Sequence, residues 1–149
     1  MRTRLLQYSF IGMVVMLLAA CSQTFPVKTA SVTALSKELR ELSPQVSSVR
    51  CSFTRPELTC RVNVSTDPDE QLLDSILEKV KAFSTLDHMD EIARKVHWND
   101  HIWEIRLVID QDRRPEQSQP YEYSASYYRY NINPAVQEVD AYQTWSRSN

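Results

Sequence analysis

The amino-acid sequence predicts an α+β fold, with a mainly antiparallel four-stranded sheet and helices packed on one face of it. Segments in which apolar and polar residues alternate indicate strands with one buried side, whereas apolar residues spaced three to four positions apart indicate amphipathic helices. These segments follow the order α-β-β-α-α-β-β along the chain. A purely parallel sheet would instead alternate strands with helices, so the order favours α+β.

The first predicted helix covers residues 32–43. Its apolar stripe consists of Val32, Leu35, Leu39 and Leu42. The helix should end before Pro44, because a proline disfavours helical geometry in the residue that precedes it. Residues 21–30 are short, polar and patternless, so we expect them to form a tether. A single domain is therefore predicted over residues 31–149.

The first two strands are predicted to form a hairpin about Arg55-Pro56. One register would place every apolar residue of the first strand opposite an apolar residue of the second, and this consistency favours the hairpin. The facing pairs would be Phe53 with Leu58, Cys51 with Cys60, and Val49 with Val62. Since proline fits a primed two-residue turn poorly, we expect a four-residue loop over residues 54–57 with the same pairing.

Cys51 and Cys60 would face each other as a non-hydrogen-bonded pair, in which Cα atoms approach to about 4.5 Å. A cross-strand disulfide is feasible at this distance, and we favour it. The alternative is two buried free thiols that pack as small hydrophobic groups. A functional redox pair is disfavoured, because the spacing is far from C-x-x-C and the alternation points both thiols inward.

Two further helices are expected after the hairpin. Asp67 as N-cap and Pro68 at the first helical position predict the start of the second helix. Its apolar stripe consists of Leu72, Leu73, Ile76, Leu77, Val80 and Phe83. The phase breaks at Ser84-Thr85, so we expect a separate third helix over residues 86–96, with one bent helix as the alternative.

The last part of the chain predicts two strands and an ambiguous end. Residues 103–109 form a strand whose buried face begins with Trp103, and residues 110–120 form a solvated loop. A strand follows over about residues 121–131. Asn133-Pro134 then favours a last helix, although a return strand over residues 136–142 fits almost as well.

The N-terminus has the organisation of a secretory signal peptide. Arg2 and Arg4 form a basic start, and residues 10–20 form an apolar region too short to cross a membrane. The stretch Leu18-Ala19-Ala20-Cys21 resembles the lipobox of bacterial lipoprotein precursors, a resemblance that covers residues 1–21 only. It implies that residues 1–20 are removed and that Cys21 is lipidated. The alternative is an ordinary secreted protein with a free thiol at Cys21.

Lipidation of Cys21 would leave an even pair of cysteines, as expected in a compartment that permits disulfides. Two or more acyl chains, such as palmitate, give stable membrane anchoring. The resemblance therefore implies a protein at the cell membrane or the outer membrane, facing the periplasm or the cell exterior. The residue after Cys21 is Ser22 and not aspartate, which resembles the outer-membrane sorting pattern of lipoproteins in Gram-negative hosts.

Composition excludes several classes of function. Without residues 1–20, the chain has 15 basic and 19 acidic residues, a formal charge of −4 that does not suit nucleic-acid binding. The one glycine of the full sequence, Gly12, lies in the predicted signal peptide. Phosphate loops, dinucleotide fingerprints and nucleophile elbows all require glycine, so we predict no cofactor that depends on such motifs.

The tyrosines provide the best candidate surface. All six tyrosines of the mature chain lie after residue 120. The candidate partner-binding residues are Tyr121, Tyr123, Tyr127, Tyr128 and Tyr130. Faces rich in tyrosine, serine and asparagine suit protein recognition, but alternation in a strand would also send about half of these rings into the core. In a regular strand the first three would share one face and the last two the other.

Catalytic and metal sites are poorly supported. His97 and His101 have the spacing of two ligands on one helix, but the intervening Asn99-Asp100 turn spoils that geometry, so we predict no metal site. Residues 110–121 begin like a calcium loop but lack its glycine and its final glutamate. The acids Asp87, Asp90 and Glu91 have basic partners one helical turn further on, as on a solvated helix face. No serine or cysteine has the sequence context of a nucleophile, so we predict a protein that is not an enzyme.

These observations predict a membrane-anchored lipoprotein with a small, non-catalytic protein-recognition domain. We expect it to be an accessory subunit of a cell-envelope assembly, bound to the membrane through Cys21 and to a protein partner. The second hypothesis is a lipoprotein that binds cell-wall glycan or a small ligand, which an aromatic cleft would favour over a flat aromatic face. The third is an uncharacterised envelope hydrolase, which requires a pocket where His97 or His101 meets acids.

Overall fold

A computed structural model describes residues 23–113, 119–129 and 137–148. These residues form an α+β fold with a mainly antiparallel sheet of six strands, in the order β1-β2-β3-β4-β5-β8, and a separate pair, β6-β7. The strands are β1 (Thr24–Pro26), β2 (Val46–Thr54), β3 (Glu57–Val64), β4 (Glu104–Gln111), β5 (Tyr121–Ser126), β6 (Tyr128–Arg129), β7 (Glu138–Val139) and β8 (Trp145–Ser148). The helices are α1 (Ala30–Leu42), α2 (Glu70–Phe83) and α3 (Leu86–Lys95).

The predicted hairpin register is confirmed. Strands β2 and β3 pair with all three apolar pairs in the expected positions. The four-residue loop is wrong: Thr54 pairs with Glu57, and a two-residue turn with a cis Arg55-Pro56 bond connects them. A cis proline at the third position defines a turn class of its own, which the primed turns do not include.

The cysteine pair forms the cross-strand disulfide that we favoured. Cys51 and Cys60 are joined at the sulfurs, and their Cα atoms lie 4.1 Å apart. Both residues are buried in the hydrophobic core. The short Cα distance is that of a non-hydrogen-bonded pair.

The main sheet has six strands and not four, because both ends of the described chain add one. Strand β1 comes from the segment predicted as a tether: Phe25 pairs with Phe53, and the backbone N–H of Val27 donates to Cys51. Thr29 then caps α1 by accepting a hydrogen bond from Val32. Residues 24–30, predicted as part of a tether, therefore belong to the folded sheet and to the start of α1. A three-residue edge strand is too short to show alternation in a sequence.

The break between the second and third helices is confirmed. Ser84 ends α2 with a hydroxyl that donates to Val80, and the Thr85 side chain caps α3. The predicted start of α2 is wrong by two residues, since Asp69 and not Asp67 is the N-cap and accepts from the backbone of Leu72 at 2.8 Å. Both aspartates satisfy the same capping preference. Together α2 and α3 provide the long crossover that the parallel pair β3-β4 requires.

The predicted strand over residues 121–131 ends early, at Ser126, and Tyr127 lies outside the ladder. Residues 130–136 lie outside the described chain. Within residues 137–148 the structure has no helix, so the predicted last helix is wrong there. The alternative strand over residues 136–142 is matched only by the two residues of β7, and a longer strand, β8, follows it. Strand β8 pairs antiparallel with β5.

One hydrophobic core joins the sheet to the helices. Its largest fully buried side chains include Phe53 of β2, Ile76 of α2, Ile92 of α3 and Ile105 of β4. The alternate residues of the central strands are mostly polar, and some form ion pairs, such as Arg61 with Asp110. The sheet therefore has one apolar, buried face and one mainly polar face, as alternation predicts.

Candidate functional site

The four candidate tyrosines that the structure describes do not form one surface. Tyr121 and Tyr123 lie on β5, where the guanidinium carbon of Arg147 is 5.2 and 5.9 Å from their ring centroids. Tyr123 is only 8% exposed. The Tyr121 hydroxyl donates to Asp67, and burial together with that carboxylate raises the pKa of Tyr121. These two rings stabilise the fold, as the packing alternative anticipated.

Tyr127 and Tyr128 lie beyond the end of β5. The Tyr127 ring stacks on His101, with centroids 4.1 Å apart and planes inclined by 11°. The Tyr128 ring meets it edge to face at 4.7 Å. A regular strand would have put these two tyrosines on opposite faces, but the strand does not continue through them, because the chain leaves the ladder after Ser126. Tyr130 lies outside the described residues, as does Cys21.

Two exposed apolar side chains lie next to these tyrosines. Trp103 is 51% exposed, and its carbonyl accepts the Tyr127 backbone N–H at 2.9 Å. Val139 is 59% exposed and pairs with Tyr128 across β6 and β7. We call the following set of residues the aromatic end surface: His101, Trp103, Tyr127, Tyr128 and Val139.

Sequence reasoning missed Trp103 and Val139 for different reasons. Trp103 continues the alternation of β4, so it was expected on the buried face, but the strand begins one residue later, at Glu104. The adjacent Asn99-Asp100 turn was the available signal that this residue lies near a strand end. Val139 belonged to a segment with two competing predictions, neither of which placed it in a two-residue strand.

The carboxylate of Asp140 holds the segment behind the aromatic end surface. Its side chain is 4% exposed, and it accepts hydrogen bonds from the backbone N–H and hydroxyl of Thr144, at 2.7 and 2.8 Å. Arg129 Nη2 lies 3.3 Å away. The Thr144 and Arg129 hydrogen bonds hold the pKa of Asp140 below its usual range. The Asp140 backbone N–H donates to Tyr127, which ties the two segments together.

Tyr142 fixes the same segment to the start of β4. Ala141 and Tyr142 both have positive φ, of 49° and 63°. The Tyr142 hydroxyl donates to the Ile102 carbonyl, and burial raises the pKa of that hydroxyl. Because non-glycine residues pay for this backbone conformation, the buried hydroxyl and the Asp140 carboxylate supply the contacts that maintain it.

Replacing Asp140 with alanine is expected to lower the free energy of unfolding by about 2 kcal/mol, because Thr144 and Arg129 lose a buried, charged acceptor. Since the pKa of Asp140 is lowered in the folded state, its contribution is complete above its unfolded pKa of about 4 and is lost as the pH falls through the folded value. Urea unfolding at pH 7 and about pH 2.5 would measure this difference, which should shrink at the lower pH.

Asp74→Ala provides the control, because Asp74 is an exposed carboxylate on α2. We expect it to change stability by less than about 0.5 kcal/mol. Equal losses in the two variants, or a loss at Asp140 that does not change with pH, would contradict this role.

A shallow hollow of about 370 Å³ adjoins the aromatic end surface. Its lining residues are Asp90, Ala93, Arg94, Trp98, Asn99, Asp100 and His101. The hollow brings His101 near two acids, the combination that the hydrolase hypothesis requires. Among the described residues, however, no hydrogen bond joins the His101 ring to a carboxylate. Asp100 instead accepts from the His101 backbone N–H, at 2.7 Å.

The histidines do not converge. His97 is exposed, with a positive φ of 55°, and His88 contacts the Phe83 carbonyl through Nδ1 at 2.8 Å. Within the ranges that the structure describes, no group of three or more histidine, cysteine, aspartate or glutamate side chains could hold a metal ion. In the same ranges, no helix combines the length and apolar character needed to cross a membrane.

No family model, curated protein or solved structure matches this chain.

Proposed function

We propose that this protein is a lipid-anchored recognition subunit of a cell-envelope assembly, and that its partner is a protein bound at the aromatic end surface. The observation that carries this proposal is the exposure of Trp103 and Val139 beside Tyr127 and Tyr128. A soluble domain gains stability by burying such groups, so their clustering at one end indicates a surface that a partner covers.

The composition of this surface suits a protein partner. Tryptophan, tyrosine and arginine are the residues that most often dominate binding energy in protein interfaces. Arg129 lies at the edge of the surface, 4.0 Å from Glu138 and 3.3 Å from Asp140. An apolar centre with a charged edge is the usual arrangement of an interface core and its rim.

Glycan binding has weaker support. The aromatic residue of the adjacent hollow is Trp98, and a sugar would need an open face of its ring. The guanidinium carbon of Arg55 lies 5.7 Å from the Trp98 ring centroid, and Phe53 packs against it with centroids 5.9 Å apart. Two neighbours thus occupy space around the ring, while the more exposed Trp103 lies outside the hollow.

The hydrolase hypothesis rests on His101 alone. Its ring stacks on Tyr127, whereas a general base needs a hydrogen-bonded partner that orients it. A recognition role uses the same stacked ring as part of the aromatic end surface, so the recognition proposal explains the contact and the hydrolase hypothesis does not.

Lipidation of Cys21 would hold this surface close to a membrane. The first described strand begins at Thr24, three residues after Cys21. Three extended residues span at most about 11 Å, so the domain would lie next to the lipid headgroups. We therefore propose a partner that is itself in the membrane or attached to it.

Replacing Cys21 with serine is expected to release the protein from the membrane fraction, because the acyl acceptor is lost. Fractionation and mass spectrometry of the N-terminus test this, with Ser22→Ala as a control that keeps the cysteine. A wild-type protein that fractionates as soluble, with a free thiol at Cys21, would contradict the anchor.

Crosslinking in cells followed by affinity capture should recover a protein partner with the anchored form only.

A further inference from the structure

A second surface lies at the opposite side of the sheet, along its β1-β2 edge. A groove of about 740 Å³ runs between α1 and this edge. Its apolar lining residues are Pro26, Val27, Val32, Val49 and Cys51. Strand β1 pairs only with Ser52, Phe53 and Thr54, so the first part of β2 has no strand on this side among the described residues.

The backbone of β2 is available for pairing at this edge. The short Cα distance between Cys51 and Cys60 marks a non-hydrogen-bonded pair, and Val49 and Val62, two residues away, form a pair of the same kind. In such a pair the backbone groups point away from the partner strand. The Cys51 carbonyl accordingly accepts the Val27 N–H from the outer side, at 2.9 Å. At Val49, no described backbone group occupies the equivalent positions.

The groove is strongly basic. Its charged lining residues are Lys28, Lys37, Arg40, Arg50 and Glu41. Four cations thus accompany one carboxylate, and Glu41 is already within 3.9 Å of the Lys37 ammonium group. This excess of positive charge contrasts with the acidic balance of the mature chain.

We propose that the groove binds an extended, acidic segment of a partner protein, which adds to the sheet as a strand beside β2. The segment would pair with the outer N–H and C=O of Val49, place alternate aliphatic side chains on the apolar floor, and direct its carboxylates to Lys37 and Arg40. Strand addition to an exposed sheet edge is a general mode of peptide recognition. Residues 46–50 of β2, which precede the Cys51 carbonyl already bonded to Val27, provide room for about five ligand residues, or about 17 Å.

An acyl chain is the competing occupant, because the groove includes Pro26 and Val27, close to the proposed anchor. A lipid could fill the apolar floor and satisfy the cations with its headgroup. It could not pair with the alternating backbone donor and acceptor of Val49, which an extended peptide matches. The open backbone edge therefore favours a peptide. This site is separate from the aromatic end surface. If the groove bound no peptide, the proposal for the aromatic end surface would be unaffected.

The test starts from the full-length protein, purified in detergent and used to select from a random twelve-residue peptide display library. Enriched peptides should be acidic, with alternating aliphatic residues. Their affinity, measured by fluorescence anisotropy, should fall about tenfold or more for Lys37→Glu/Arg40→Glu, because like charges then face each other. Arg94→Glu/Lys95→Glu makes the same two charge reversals at exposed positions on α3. It should change the affinity less than about twofold.

Hydrogen exchange provides the second readout. Bound peptide should slow exchange of the Val49 amide, which donates to no described backbone group on the outer side, while Leu86 at the start of α3 should be unaffected. The proposal is overturned by a selection that yields no acidic peptides, or by acidic peptides that leave Val49 exchange unchanged. The groove would instead be assigned to membrane binding if no peptide is enriched and the protein binds phosphatidylglycerol vesicles, provided that Lys37→Glu/Arg40→Glu abolishes this vesicle binding.

Discussion

Replacing both Cys51 and Cys60 with alanine is expected to lower the free energy of unfolding by about 3 kcal/mol. The disulfide closes a loop between residues nine positions apart, and it restricts the unfolded chain. On the loop-entropy relation, a closed loop of about ten residues contributes just under 3 kcal/mol. Both side chains are buried, so their truncation adds a packing loss.

Urea unfolding of the double variant measures this effect directly. Ser52→Ala/Thr59→Ala is a matched control, because Ser52 and Thr59 form the neighbouring pair on the same hairpin. We expect that control to cost less than about 1 kcal/mol, since neither residue is in the core. Reduction of the wild-type protein should reproduce most of this loss but not the packing loss, because it opens the loop and leaves both side chains in place. Two alkylatable thiols in the native protein, or unchanged stability in the variant, would refute the disulfide.

Replacing both Trp103 and Tyr128 with alanine is expected to weaken partner binding by about 100-fold or more, because large aromatic residues at the centre of an interface contribute most of its energy. The fold should tolerate these changes, since Trp103 is half exposed and Tyr128 is only partly buried. Tyr127 is a poorer choice for this test, because its ring packs against both His101 and Tyr142.

Leu86→Ala is the control for apolar surface area, since Leu86 is 43% exposed on α3 and lies outside the aromatic end surface. Affinity for the captured partner, measured by surface plasmon resonance, should be unchanged in this variant. Circular dichroism and thermal melting would show that the double variant is folded. Full affinity in the folded double variant would remove the aromatic end surface from the recognition role.

The hairpin shows why some of this fold was predictable. Its register followed from three apolar pairs that only one alignment places on the same face, and a one-residue slip would have exposed all of them. The division between α2 and α3 was equally visible, because a change of helical phase coincided with the side-chain cap at Thr85. These signals are local, so a single sequence contains them.

The unpredicted features depend on contacts between distant segments. Strand β1 is three residues long and is defined by its pairing with β2, in which Phe25 lies opposite Phe53. Ala141 and Tyr142 adopt positive φ although neither is glycine, and the contacts that maintain them come from Ile102 and from Asp140. No propensity in residues 137–148 indicates that geometry.

The candidate sites divide in the same way. The tyrosine-rich composition directed the site prediction to the last third of the chain, but only the end of β5 explains why Tyr127 and Tyr128 separate from Tyr121 and Tyr123. Trp103 joins them through a backbone hydrogen bond across 24 residues of sequence. The basic groove was invisible, because it depends on where α1 lies along β2.

Site-specific photocrosslinking in living cells tests the recognition proposal most directly. A photoreactive amino acid would replace Tyr128 in the lipidated protein, and in a parallel strain it would replace Glu78, an exposed residue of α2. We expect Tyr128 to yield one dominant crosslinked envelope protein and Glu78 to yield none. No protein adduct at Tyr128, or the same adducts at both positions, would contradict recognition of a protein by the aromatic end surface.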